Sequence, residues 1–234
     1  MATPTRWPAY IRGWICVPTI SRKKPKITWL QIVIHVLGWL PLAWILYKYI
    51  AGRLSVNPIQ DIEQRLGLIA VYFLIASLAC TPLNTLFGWR EPLNRRRALG
   101  LYCFMYASLH VLTFTGLDYG FNLHLILGIV LKKPYAIAGL ATFILLLPLA
   151  VTSSRWWMKT LGRKWTNLHH LVYLAGVVDI LHYAWSKKGN LFTLSGDILQ
   201  PLLWGLLLLL LLALRLPPVR RWASSLRHKS ASVP

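Results

Sequence analysis

Polar positions in this 234-residue chain are bunched, and long apolar stretches lie between the bunches. The segment "PLLWGLLLLLLLALRL" (201–216) has Arg215 as its single charged residue. Stretches of about 20 apolar residues read as transmembrane helices. Six spans are predicted, approximately over 27–50, 66–87, 97–117, 135–152, 165–185 and 197–216. The connections are short, and no soluble domain is expected at either end. The predicted fold is all-α, a polytopic bundle of six transmembrane helices (27–216). It is preceded by an N-terminal arm (1–26) and followed by a basic tail (217–234). The arm contains no apolar core, so no cleaved secretory signal is expected.

Composition agrees with this pattern: 56% of residues are hydrophobic and the mean hydropathy is positive. The formal charge of +20 changes the picture in one respect, because it sets orientation. Six Lys/Arg lie in 1–26, four in "GWREPLNRRR" (88–97), four in "SSRWWMKTLGRKW" (153–165) and five from Arg215 onward. These are 19 of the 26 basic residues, and they share one side if six helices alternate. By the positive-inside rule that side is cytoplasmic, as are both termini. Many of the 12 Trp lie near span ends, where interfacial anchors belong. No folded basic domain remains for nucleic acid, so a lipid membrane is the expected partner of this charge. Cys16, Cys80 and Cys103 form no CxxC or CxxCH pattern, so neither a disulfide nor thioether-linked haem is expected.

The chemistry has few places to reside. Ionisable residues inside a bilayer are costly, which makes each a functional candidate. The set is His35, His110, His169, His170, Asp179 and His182. No nucleophile–base pair, paired carboxylates, GxGxxG or Walker motif accompanies them. Imidazole inside a helical bundle suits haem iron, held by coordination as a b-type group. Spans three and five run parallel, so depths can be compared. At 1.5 Å per residue, His110 lies roughly 5 Å and His182 roughly 10 Å outward of their span midpoints, whereas His169 lies roughly 9 Å inward. His110 and His182 can therefore clamp one haem at an outer level. His169 marks an inner level, one or two haems in all. His35, roughly 5 Å inward on span one, is a candidate second ligand there. A water, another side chain or an open position serves equally. Thirteen residues turn an ideal helix by about 220°, so His169 and His182 share no stripe; Gly176 between them would tolerate an irregularity.

Plainer readings stand beside these. His169 also reads as a solvated interface histidine, and His170 is the better interface residue of the pair. His110 and His182 singly also read as hydrogen-bonded core histidines. Asp179 precedes His182 by three residues, a helical-neighbour spacing. Orienting that imidazole, solvation and bridging to another helix are all open roles for it. His124 and His228 lie outside the spans and take no role.

The same segments carry a likeness. "NPIQDIE" (57–63), "TPL" (81–83), "LNRRRALGLYCFMYASLH" (93–110), "KKPY" (132–135), "LGRKWTNLHHLVYLA" (161–175) and "LHYAW" (181–185) occur in this order. Together they resemble the haem-binding membrane subunits of the bacterial periplasmic methionine-sulfoxide reductase system, the MsrQ or YedZ family, over roughly 27–188. That family is related to the transmembrane domains of NADPH oxidases and metalloreductases. The resemblance implies a b-type haem protein of the bacterial inner membrane. Such a protein passes electrons to a periplasmic molybdenum-cofactor methionine-sulfoxide reductase, which repairs oxidised proteins. It carries the haem-ligand role to His110, His169 and His182. Flavin mononucleotide (FMN) is also implied, although no motif locates it, and His170 and Asp179 lie outside the family motif.

NADPH oxidases append a flavin and nicotinamide module after the last span, whereas here 18 residues follow Leu216. Electrons are therefore expected from membrane quinol, bound flavin or a separate cytosolic reductase. The leading expectation is an electron-transfer subunit with no sulfoxide-reducing site of its own. A self-sufficient ferric or cupric reductase is a second class. For it the outer loops offer Asp61, Glu63, Asp118, His124 and Asp197 without ligand spacing. A third class is a small transporter using intramembrane His and Asp as proton relays.

Overall fold

The computed structural model describes residues 27–187, 197–219 and 221. The arm over 1–26, with Cys16, and most of the tail over 217–234, with His228, lie outside the described residues. The helices are α1 (Trp29–Ile50), α2 (Pro58–Phe87), α3 (Glu91–Leu112), α4 (Leu123–Val130), α5 (Pro134–Val151), α6 (Arg155–Leu161), α7 (Arg163–His169), α8 (Leu171–Ser186) and α9 (Leu199–Ala213). A π-helical turn, Thr113–Asp118, continues α3. No strand occurs among the described residues. By length and composition, Trp29–Ile50, Pro58–Phe87, Glu91–Asp118 and Pro134–Val151 are long and apolar enough to cross a membrane.

Local chemistry sets the helix ends. Asn57 accepts a hydrogen bond from the Gln60 amide, and Pro58 follows at a first-turn position where its missing N–H costs nothing. An Asp61–Arg65 ion pair at 2.7 Å spans the next turn. Gly88 ends α2 in the left-handed conformation (φ 71°), which a side chain would disfavour. The Asn122 side chain caps α4 through the amides of His124 and Leu125. Within the helices, Thr113, Thr142 and Thr152 each donate a hydroxyl proton to the carbonyl four residues earlier. That satisfies polar groups for which hydrocarbon has no partner.

Four expectations need adjusting. The second span was expected from residue 66, but α2 starts at Pro58 and takes Asp61 and Glu63 out of the loop into the helix, because Asn57 and Pro58 form a strong start signal. Arg95, Arg96 and Arg97, expected largely in a connection, lie inside α3. The span drawn over 165–185 is not one helix. It breaks at His170 into α7 and α8, while Gly176, the position where an irregularity was expected to be tolerated, sits in regular helix. Its 16 residues, and the 15 of α9, are shorter than the spans drawn for them.

α2 is the central element. Leu66, Phe73, Leu74 and Leu78 of α2, Cys103 and Tyr106 of α3, Ala175 of α8 and Leu208 of α9 form one buried core. Cys80 and Cys103 are buried free thiols. Trp39, Leu46, Ile144, Leu203 and Leu209 point outward, so the outer surface is apolar where a water-soluble bundle would be polar. Arg215 at the end of α9 donates to the Tyr173 hydroxyl at 2.7 Å and to the Leu78 carbonyl, tying α9 to α8 and α2.

α1 leans on α3 through a notch at Gly38. The fully buried Tyr106 donates its hydroxyl proton to the Gly38 carbonyl at 2.7 Å, and the Tyr102 ring fills the space a side chain at 38 would need. Gly38→Ala is expected to push α1 off Tyr102, at the about 1–3 kcal/mol typical of overpacking. The expected result is a lower unfolding temperature in detergent. Gly128→Ala, where an added methyl group meets nothing within 4 Å, should leave that temperature unchanged or slightly raised.

Candidate functional site

α3 and α8 each carry a histidine toward the interior, and each ring is held by the helix next to it. His110 of α3 lies with Nδ1 2.9 Å from the Glu63 carbonyl oxygen of α2. His182 of α8 lies with Nδ1 2.7 Å from the Tyr135 carbonyl oxygen of α5. A carbonyl can only accept, so Nδ1 carries a proton in both rings, and in the neutral ring Nε2 then keeps its lone pair. The two ring centroids are 6.1 Å apart and the ring planes make an angle of 70°. Two metal–imidazole bonds of about 2 Å, with a ring radius of about 1 Å at each end, put axial ring centroids about 6 Å apart. The 6.1 Å separation of the two rings matches that distance.

His169 ends α7 and is half-buried. Its Nδ1 donates to the Trp165 carbonyl at 3.0 Å, and its ring stacks on the Trp165 indole at 3.9 Å. Trp165 is fixed in turn by its indole N–H, which donates to the Thr152 carbonyl at 2.9 Å. His170, the neighbour of His169, is exposed and stacks on Tyr173 at 5.7 Å. The break in the helix at this pair turns the two side chains to different surroundings.

His35 of α1 is 2.8 Å through Nδ1 from the Tyr102 hydroxyl, with the two rings edge to face at 5.9 Å. Among the described residues no contact joins His35 to His169. Asp179 lies one turn before His182 in α8, but the group bonded to the His182 ring is the Tyr135 carbonyl. His124 is exposed on α4. Among the described residues no three His, Cys, Asp or Glu side chains converge as a metal cluster, at the outer loops or elsewhere.

Sequence reasoning missed Glu63 and Tyr135, because they act through backbone carbonyls that every residue type carries. It also missed Gly67 and Gly139, which lie against the His110 and His182 rings. Each carbonyl lies 47 residues before its histidine.

Comparison with known proteins adds the lineage. Residues 66–179 match the family described as ferric reductase like transmembrane component. This stretch contains Gly67, His110, Gly139 and His169, and it stops three residues short of His182. A protein of Rhodospirillum rubrum named "Protein-methionine-sulfoxide reductase heme-binding subunit MsrQ" is 42% identical over 205 residues, covering 87% of this chain and 93% of the relative. The chain belongs to the MsrQ family. MsrQ proteins of Salmonella paratyphi B and Salmonella newport, with the same full name, are each 37% identical over 198 residues, covering 84% of this chain and 96% of theirs. The long apolar helices and the MsrQ lineage together describe a multi-pass membrane protein.

Proposed function

We propose that this chain is a haem-binding electron-transfer subunit of a methionine-sulfoxide reductase system, with His110 and His182 as the axial ligands of one b-type haem. The observation that carries the reading is the His110–His182 pair, with both Nδ1 protons given to backbone carbonyls and the ring centroids 6.1 Å apart. The names of the relatives point the same way. Bound there, haem would supply a one-electron Fe(III)/Fe(II) couple. The chain's own part is to keep both imidazoles neutral, to hold them at fixed orientation and to surround them with apolar side chains. The apolar surroundings supply the first, because a charged imidazolium is costly there; the carbonyl bonds supply the second, and a ring that donates from Nδ1 is a better donor at Nε2.

The finer reading adds a second, inner haem position at His169, for which His35 stays a candidate second ligand. In this reading α1, α2, α3, α5, α7–α8 and α9 make six crossings of a bacterial inner membrane. The segment Arg163–Ser186 is long enough for the fifth, at about 1.5 Å per residue. The 19 clustered basic residues put both termini in the cytoplasm. Electrons enter from quinol, from bound FMN or from a cytosolic flavin reductase. They leave to a periplasmic molybdenum-cofactor reductase that acts on oxidised methionine.

The test is a reduced-minus-oxidised spectrum of the purified chain, with haem measured per polypeptide. A Soret band with low-spin b-type α and β bands is expected, at one or two haems per chain. A chain purified from haem-replete membranes without a Soret band would overturn the reading and leave a transporter as the better one.

A further inference from the structure

The two histidines are presented by the same device, used twice. Helix pair α2–α3 carries His110, and helix pair α5–α8 carries His182. In each pair the ring donates Nδ1–H to a carbonyl on the partner helix, and in each the ring also lies against a glycine one turn beyond that carbonyl. The whole set repeats with a shift of 72 residues, from 63 to 135, from 67 to 139 and from 110 to 182. Glu63 and Tyr135 share no side-chain chemistry. What repeats is a backbone oxygen and a missing side chain, which explains why the sequence shows no internal repeat.

The missing side chain has a measurable role in the geometry. A Cβ at 139 would stand 2.8 Å from Cε1 and 2.9 Å from Nδ1 of His182. A Cβ at 67 would stand 3.3 Å from both Cε1 and Nδ1 of His110. Carbon atoms in good contact sit about 3.5–4.0 Å apart. The His182 ring would have to move for any side chain at 139, and the His110 ring would have to give by a few tenths of an ångström for one at 67. The crowded atoms include Nδ1 itself, so a shift of the ring disturbs its bond to the carbonyl. Gly176 and Gly205 are close approaches of another kind, since they face the aliphatic carbons of Leu208 and Ile180 at 3.3 Å.

We propose that Gly67 and Gly139 are positioning residues, whose bare backbone sets the orientation of the two imidazoles and the bond each makes through Nδ1. The proposal rests on the reading of His110 and His182 as axial ligands. A ring that donates Nδ1–H gives more electron density through Nε2. That favours the ferric state and lowers the reduction potential. Loosening the carbonyl bond therefore raises the potential. It also changes the angle between the rings, which the largest g-value of the ferric low-spin signal reports.

The experiment compares Gly139→Ala, Gly67→Ala, Gly176→Ala and His182→Ala in the full-length haem-loaded chain. Redox titration and low-temperature electron paramagnetic resonance are the readouts. Gly139→Ala is expected to raise the midpoint potential and move the largest g-value. Gly67→Ala should do the same to a smaller extent, and Gly176→Ala should do neither. An unchanged potential and g-value in Gly139→Ala would overturn the proposal. So would an equal shift in Gly176→Ala, which would mean general loosening of the bundle. If Gly139→Ala does not accumulate with haem, Gly67→Ala decides in the same way, a shift supporting the proposal and none overturning it. His182→Ala separates the two levels of the argument. Full retention of the low-spin signal there removes the ligand assignment and the proposal with it. Loss there, with silent glycine variants, removes the positioning role alone.

Discussion

His110→Ala and His182→Ala are each expected to abolish the same component of the reduced-minus-oxidised spectrum. Haem per polypeptide should fall by about half if two haems are bound and to near zero if one is. The expectation follows from the single site the two rings define. Their centroids are 6.1 Å apart on different helices, and each Nε2 is the free nitrogen because each Nδ1 is bonded to a carbonyl. Removing either imidazole leaves one axial position without a ligand, and no third histidine contacts the pair among the described residues. His182→Gly with added imidazole should regain the low-spin spectrum, because the small ring can re-enter the space its side chain vacates. Loss of different components in the two alanine variants would show that the rings serve different irons.

His169→Ala is expected to remove or shift a second component, whereas His170→Asn should leave the spectrum and haem content unchanged. The two residues adjoin, yet the structure treats them differently. His169 is half-buried, stacked at 3.9 Å on an indole that is itself hydrogen-bonded, and its Nδ1 is occupied. His170 is exposed at the break between α7 and α8, where substitutions usually change stability by no more than about 0.5 kcal/mol. Haem quantification with the two variants side by side checks this. Equal losses at both positions, or a loss at 170 alone, would refute the assignment of the inner level to His169.

The apolar runs were legible because a bilayer imposes length and composition on any helix that crosses it. The spans on α1 and α5 lie within two residues of the helices found. The start of α2 was misjudged because polar Asp61 and Glu63 interrupt the apolar run, although Asn57 and Pro58 announce the helix. The break at His170 was not legible. Its amide is shared between the Thr166 and Asn167 carbonyls, both at 3.2 Å, an arrangement no residue type in "TNLHHL" demands.

From sequence alone came the all-helical membrane class and the short list of histidines in the apolar segments, His110 and His182 among them. Rise per residue and charge bias are one-dimensional properties, and a chain displays them before it folds. Tertiary structure alone decided which nitrogen of each ring is free, through carbonyls of Glu63 and Tyr135 that lie 47 residues away. It also decided which glycines matter. Gly67 and Gly139 look like any other helix glycine until α2 meets α3 and α5 meets α8. Backbone oxygens and missing side chains leave no residue-type signature, so the azimuths of packed helices, which the linear pattern does not encode, had to bring them to the rings.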